Sequence, residues 1–139
     1  MKLKSYIAAL VSHLMVLIAL VTPIIRASDT RTSLTGNTES SSSYLNIFQF
    51  IQTDLYSFTS VLMLILVFIH FLGISNAIYG IVKKKYSHWS INLTFLFGFA
   101  SALMGALHLY SGSYALFSIC AASFLVISFC SIKLIKSEG

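Results

Sequence analysis

Three histidines stand inside apolar runs, in the contexts LVSHLMV around His13, FIHFLGI around His70 and GALHLYS around His108. An imidazole among aliphatic side chains has three uses: a hydrogen bond to another helix, proton handling, or metal ligation. All three remain open for this chain. His13 and His70 are weak candidates for the axial ligands of a haem, which must approach one iron from two helices at nearly one level. His13 lies about 13 Å along a helix from Lys4, and His70 about 20 Å from Lys83, at 1.5 Å rise per residue. The mismatch is about one helical turn, which a helix tilt of about 20° absorbs. His108 falls near the opposite end, where its counterpart is Asp54, the carboxylate closest to an apolar segment; that pair would either act together or be separately solvated. His13, His70, His108 and Asp54 are thus the polar candidates at membrane depth or its edge.

Other chemistry is poorly provided for. The chain contains no HExxH, GxSxG or phosphate-binding glycine loop, and its four acidic residues form no pair. Cys120 and Cys130 are ten residues apart on one apolar segment, about 15 Å along a helix, too far to bond each other. No enzymatic activity and no cofactor is expected.

These residues must be positioned by membrane helices. Hydrophobic residues make up 57% of the chain and charged ones 9%, well below the quarter or so typical of soluble domains. Four segments approach or exceed the roughly 20 apolar residues that cross a bilayer as helix: 5–25, 57–82, 90–110 and 113–132. The expected fold is all-α, a single integral membrane four-helix bundle occupying the whole chain. The first segment, positive at its start and followed by Pro23 and small residues, also fits a cleaved signal peptide.

The net charge of +5 invites a nucleic-acid reading, but its placement argues for topology. Lys2, Lys4, Lys83, Lys84, Lys85, Lys133 and Lys136 all fall on one side of a four-crossing chain, which makes both termini cytoplasmic in a multi-pass cell-membrane protein. Arg26 and Arg31 lie on the other side with Asp29 and Glu39. The Ser/Thr-rich stretch 26–43 is expected to be a flexible external loop. Residues 44–56 read as an amphipathic lead-in, with Leu45, Phe48, Ile51 and Leu55 at helical spacing. It either lies on the membrane surface or continues the second helix outward. Residues 83–89 form a short cytoplasmic loop with Tyr86 and Trp89 as interface anchors.

Small residues mark the packing faces, because in lipid close approach rather than the hydrophobic effect joins helices. Gly98, Ser101, Ala102 and Gly105 share one face of the third segment. Gly73 and Ala77 have the same spacing on the second, with His70 on that stripe, and Ser118 and Ala122 have it on the fourth.

The sequence is therefore expected to encode a small non-enzymatic membrane protein acting through protein contacts. It would be an accessory subunit of a membrane complex or an immunity protein against a membrane-active toxin. Its partners are the bilayer and a membrane protein or further copies of itself, with no nucleic acid. A channel, transporter or holin-like pore lined by Thr59, His70, Ser101 and His108 is the alternative, and a b-type cytochrome the second.

Overall fold

The computed structural model describes residues 2–53, 57–84, 88–109 and 112–138, with the side chains of 88–95, 108–109 and 137–138 outside the description. It is mostly helical. Helix α1 (Lys2–Val21) leads into a hairpin of strands β1 (Ile25–Thr32) and β2 (Thr38–Leu45). A short helix α2 (Ile47–Thr53) follows, then three long helices: α3 (Phe58–Lys83), α4 (His88–Leu109) and α5 (Tyr114–Glu138). Helices α1, α3 and α5 are long and apolar enough to cross a membrane, and α4 carries a shorter apolar stretch, Leu96–Leu107, among the described residues. The four long helices pack in a ring, α1 on α3, α3 on α4, α4 on α5 and α5 on α1.

Local chemistry sets the element ends. Helix α1 stops two residues before Pro23, whose ring disfavours a helical conformation in the residue ahead of it. Asn46 and Gln49 cap α2 reciprocally: Gln49 N–H donates to Asn46 Oδ1 at 2.9 Å, and Asn46 N–H to Gln49 Oε1 at 3.1 Å. Ser57 is in an extended conformation and accepts from Ser60 N–H, so it begins α3 as a new helix. The amphipathic stretch is therefore divided: Leu45 ends a strand, α2 is a helix of its own, and no continuous rod runs from it into α3. At the far end of α3, Lys84 closes the helix in the left-handed conformation.

The polar stretch 26–43 corrects the all-α expectation. It forms an antiparallel ribbon in which Ile25 pairs with Leu45 and Thr32 with Thr38. At the tip, Gly36 N–H donates to Ser33 O, and Gly36 takes φ +82°, which favours glycine. Low apolar content removed the alternation that normally signals a strand. What holds the ribbon is its ladder, β-branched threonines and attachment at the base. Ile25 is fully buried, and Arg26 N–H donates to Ser113 Oγ at 2.8 Å, linking the hairpin to the start of α5.

Serines and histidines are buried beside the apolar core, while many large apolar side chains face outward. Ser5, Ser12, His13, Ser60, His70, Ser101, Ser123 and Ser131 are buried, whereas Leu3, Ile7, Leu14, Ile18, Phe68, Phe71, Leu125 and Phe129 are exposed. Serine tolerates an apolar interior here by bonding its own helix: Ser12 Oγ donates to Ala8 O and Ser131 Oγ to Ile127 O, both at 2.9 Å. Buried apolar side chains gather in two clusters. The larger joins Val16, Leu20, Ile25, Ile47, Met63, Leu66, Met104, Leu116 and Cys120 beneath the hairpin; the smaller joins Tyr6, Ala77 and Leu134 near the lysine-bearing end.

Helices α4 and α5 are closer at Gly105 than at Gly98. A Cβ there would lie 2.8 Å from Cys120 Cβ and 3.3 Å from the Phe117 backbone, whereas one at Gly98 would meet Ile127 at 3.3–3.4 Å. Gly105→Ala should therefore destabilise the protein by about 1–3 kcal/mol, because backbone must move. Gly98→Ala should be near neutral, since relief of helical glycine by about 1 kcal/mol offsets a small shift of Ile127. Reversible unfolding in mixed micelles would rank the two, and equal losses would remove the distinction.

Candidate functional site

Between the two apolar clusters, α1 and α3 meet through small residues on α3. Gly73 and Gly80 are seven apart, as are His13 and Tyr6 on α1, and they match in antiparallel order. A Cβ on Gly73 would come within 2.6–2.9 Å of three atoms of the His13 ring, and one on Gly80 within 2.5 Å of the Tyr6 ring. Each glycine is thus a seat for a ring from α1. Ala77, between them, is also buried.

This register explains how His13 reaches His70. His13 is level with Gly73, and His70 stands three residues further along, close to the one-turn offset that the lysine landmarks imply. The offset is spanned by side chains: the His13 ring lies over the missing side chain of Gly73 and extends to its neighbour. The two Nδ1 atoms are 2.9 Å apart, with ring centroids at 5.1 Å and planes inclined by 63°. Both residues are fully buried.

The contact needs one proton between the two nitrogens. In the uncharged pair, whichever Nδ1–H donates, the accepting ring carries its proton on Nε2 and the donating ring has a bare Nε2. Both Nε2 atoms are buried without a hydrogen-bond partner among the described residues. The arrangement is therefore a single interhelical bond with two open ends. A relay would require a partner at each end. A metal–imidazole bond is about 2 Å, so two nitrogens on opposite sides of one iron stand about 4 Å apart. Rings in direct contact at 2.9 Å do not fit a haem between them. Among the described residues, no three His, Cys, Asp or Glu side chains are placed to hold a metal ion.

The other residues marked in the sequence have their own positions. Gly98, Ser101 and Gly105 are buried and Ala102 is partly so; the glycines face α5, and Ser101 lies beside the Cys120 thiol. Ser118 and Ala122 are exposed, and α5 instead packs through Cys120, Ser123 and Ile127. Lys83 and Lys84 are exposed at the end of α3. Asp54, Leu55, Lys85 and Tyr86 lie outside the described residues, as do the side chains of Trp89 and His108. The structure adds Gly80 and Tyr6, legible as seven-residue spacings matching Gly73 and His13. It also adds a bond across helices, Ser123 Oγ to Ser12 O at 3.3 Å, which has no spacing signature.

Comparison with protein-family models, curated proteins and solved structures returned no match.

Two expectations follow from the pair. His13→Leu or His70→Leu leaves the other imidazole without its remaining partner. A double-mutant cycle should return a coupling of about 0.6 kcal/mol and no more than about 1.7, the range of hydrogen bonds measured between membrane helices. A coupling indistinguishable from zero would dissolve the joint. Gly73→Ala should lower stability although it improves helix propensity by about 1 kcal/mol, because the His13 ring must leave its seat; unfolding of this variant beside Gly80→Ala measures that.

Proposed function

We propose that this chain is a non-enzymatic four-helix membrane protein that binds a protein partner through the face carrying the hairpin and α2. In this reading α1, α3, α4 and α5 all cross the cell membrane, with both termini cytoplasmic and the hairpin outside. The aliphatic exterior and serine-lined interior of the helices support embedding in lipid, where a polar exterior has no advantage. Retention of α1 is supported by its share of the core, since Val16 and Leu20 are buried in the larger cluster and His13 in the joint.

The observation that carries the binding role is the hairpin's exposure. Every residue from Ser28 to Tyr44 is exposed, including Leu34 at the tip. Strands of eight residues make a ribbon about 27 Å long. A lone two-stranded hairpin is marginal in water, and the Arg31–Asp29 ion pair, exposed on both sides, adds little. A long ribbon with free edges, an apolar tip and an anchored base suits contact with another protein, by added strand or by tip insertion. Phe48 on α2 and Tyr44 at the end of β2 extend that surface with exposed aromatic rings. The partner is either a constitutive subunit, which makes the chain an accessory protein, or a membrane-active toxin, which makes it an immunity protein.

Photocrosslinking from position 34 in intact cells should give one protein adduct of defined mass. Leu34→Asp should weaken partner retention at least tenfold, about 1.4 kcal/mol, without changing the unfolding midpoint. Adducts to lipid alone would overturn the binding role. Ion flux into proteoliposomes that disappears in a His70→Leu variant would replace it with the pore reading.

A further inference from the structure

Along the outer side of α1 and α5, two hollows of about 560 and 210 Å³ share Val126 and so form one furrow. Its most buried lining is Ser5, Ser12, Ser123 and Cys130, with the small Ala8 and Ala122 beside them, and the Ser123–Ser12 bond draws the helices together. Its walls are apolar, with Met15 towards the hairpin end and Phe129 towards the other. At that other end stand Lys4 and Lys133. The Lys133 ammonium lies 4.5 Å from the centre of the Phe129 ring, which holds the charge at the furrow's mouth. Among the described residues, no acidic side chain lines either hollow.

The furrow is thus cationic at one end and apolar along its length. From Lys4 to Met15 it runs about 16 Å along α1 at 1.5 Å per residue, close to the roughly 15 Å depth of one leaflet's hydrocarbon. Cations confined to one end and an apolar remainder match an anionic lipid, which presents a phosphate followed by a chain of the right length. We propose that the furrow between α1 and α5 binds an anionic phospholipid, with its phosphate between Lys4 and Lys133 and one acyl chain lying over Ala8 and Ala122. This goes beyond partner binding at the hairpin, and it rests only on the helices being embedded in a bilayer. On the proposed orientation the bound lipid belongs to the cytoplasmic leaflet, where basic pockets between helices meet anionic headgroups.

Native mass spectrometry of the full chain, released from nanodiscs of equal phosphatidylglycerol and phosphatidylcholine, provides the test. Retained lipid should be predominantly phosphatidylglycerol. Lys4→Gln and Lys133→Gln should each reduce that preference about fivefold, the equivalent of about 1 kcal/mol per lysine. Lys83→Gln with Lys84→Gln removes charge elsewhere on the same end and should leave the preference intact. Ala122→Phe fills the furrow and should abolish retention, with unchanged circular dichroism excluding misfolding. Equal retention of both lipids overturns the proposal, as does an equal loss in the Lys83/Lys84 variant, retention that survives Ala122→Phe, or displacement of the lipid by millimolar inorganic phosphate. Co-flotation with vesicles separates the two readings: a chain that fails to float overturns the membrane assignment, and one that floats without preference overturns the lipid site alone.

Discussion

The close approach of α1 and α3 is the constraint on which most of the structure depends. Two glycines on α3 remove side chains where α1 presents rings, so the backbones approach while Tyr6 and His13 still fit. That approach brings two buried imidazoles to 2.9 Å. It also sets the level at which Val16 and Leu20 meet Met63 and Leu66 above the joint, and at which Tyr6 meets Ala77 below it. An apolar interior alone has many nearly equivalent sliding positions. The single directional contact between His13 and His70 distinguishes one of them, because a shift by one turn would separate the rings and lose that bond, worth about 0.6 kcal/mol and no more than about 1.7.

The second pair of helices repeats this solution with different residues. Gly98 and Gly105 on α4 face Ile127 and Cys120 on α5, again seven apart and antiparallel, with a thiol rather than an imidazole at the tighter crossing. Between the pairs, α1 and α5 are joined by Ser123 and Ser12. Each of these three junctions uses a small or hydroxyl-bearing residue where a soluble bundle would use leucine. Many large apolar side chains, Ile18, Phe68, Phe71 and Leu125 among them, lie on the outside, and the proposed lipid furrow and the proposed binding face are separate parts of that surface.

Much of this was readable residue by residue. Apolar length marks the long helices, and the spacing of Gly73 with Ala77 and of Gly98 with Gly105 the faces that pack; the end of α1 at Val21, ahead of Pro23, falls four residues short of the expected segment 5–25. The hairpin was not readable. Its residues are serine, threonine and charge without alternation, and composition of that kind describes disorder equally well. Its strands pair because Ile25 and Arg26 are held at the base by contacts with residues far along the chain, including Ser113. The furrow was hidden for the same reason, since Lys4 and Lys133 are 129 positions apart and become neighbours only through the packing of α1 on α5.

By itself the sequence determined which segments are apolar enough for a membrane and which faces are smooth enough for close contact. These are properties of neighbours within a turn or two, set by side-chain volume and hydropathy. Tertiary structure decided the partners: that His13 meets His70 across a one-turn offset, that a polar stretch becomes a ribbon, and that two lysines end one furrow. Those outcomes depend on interhelical register. Register is a balance of contacts between residues distant in sequence, and each contact is too weak to leave a local signature.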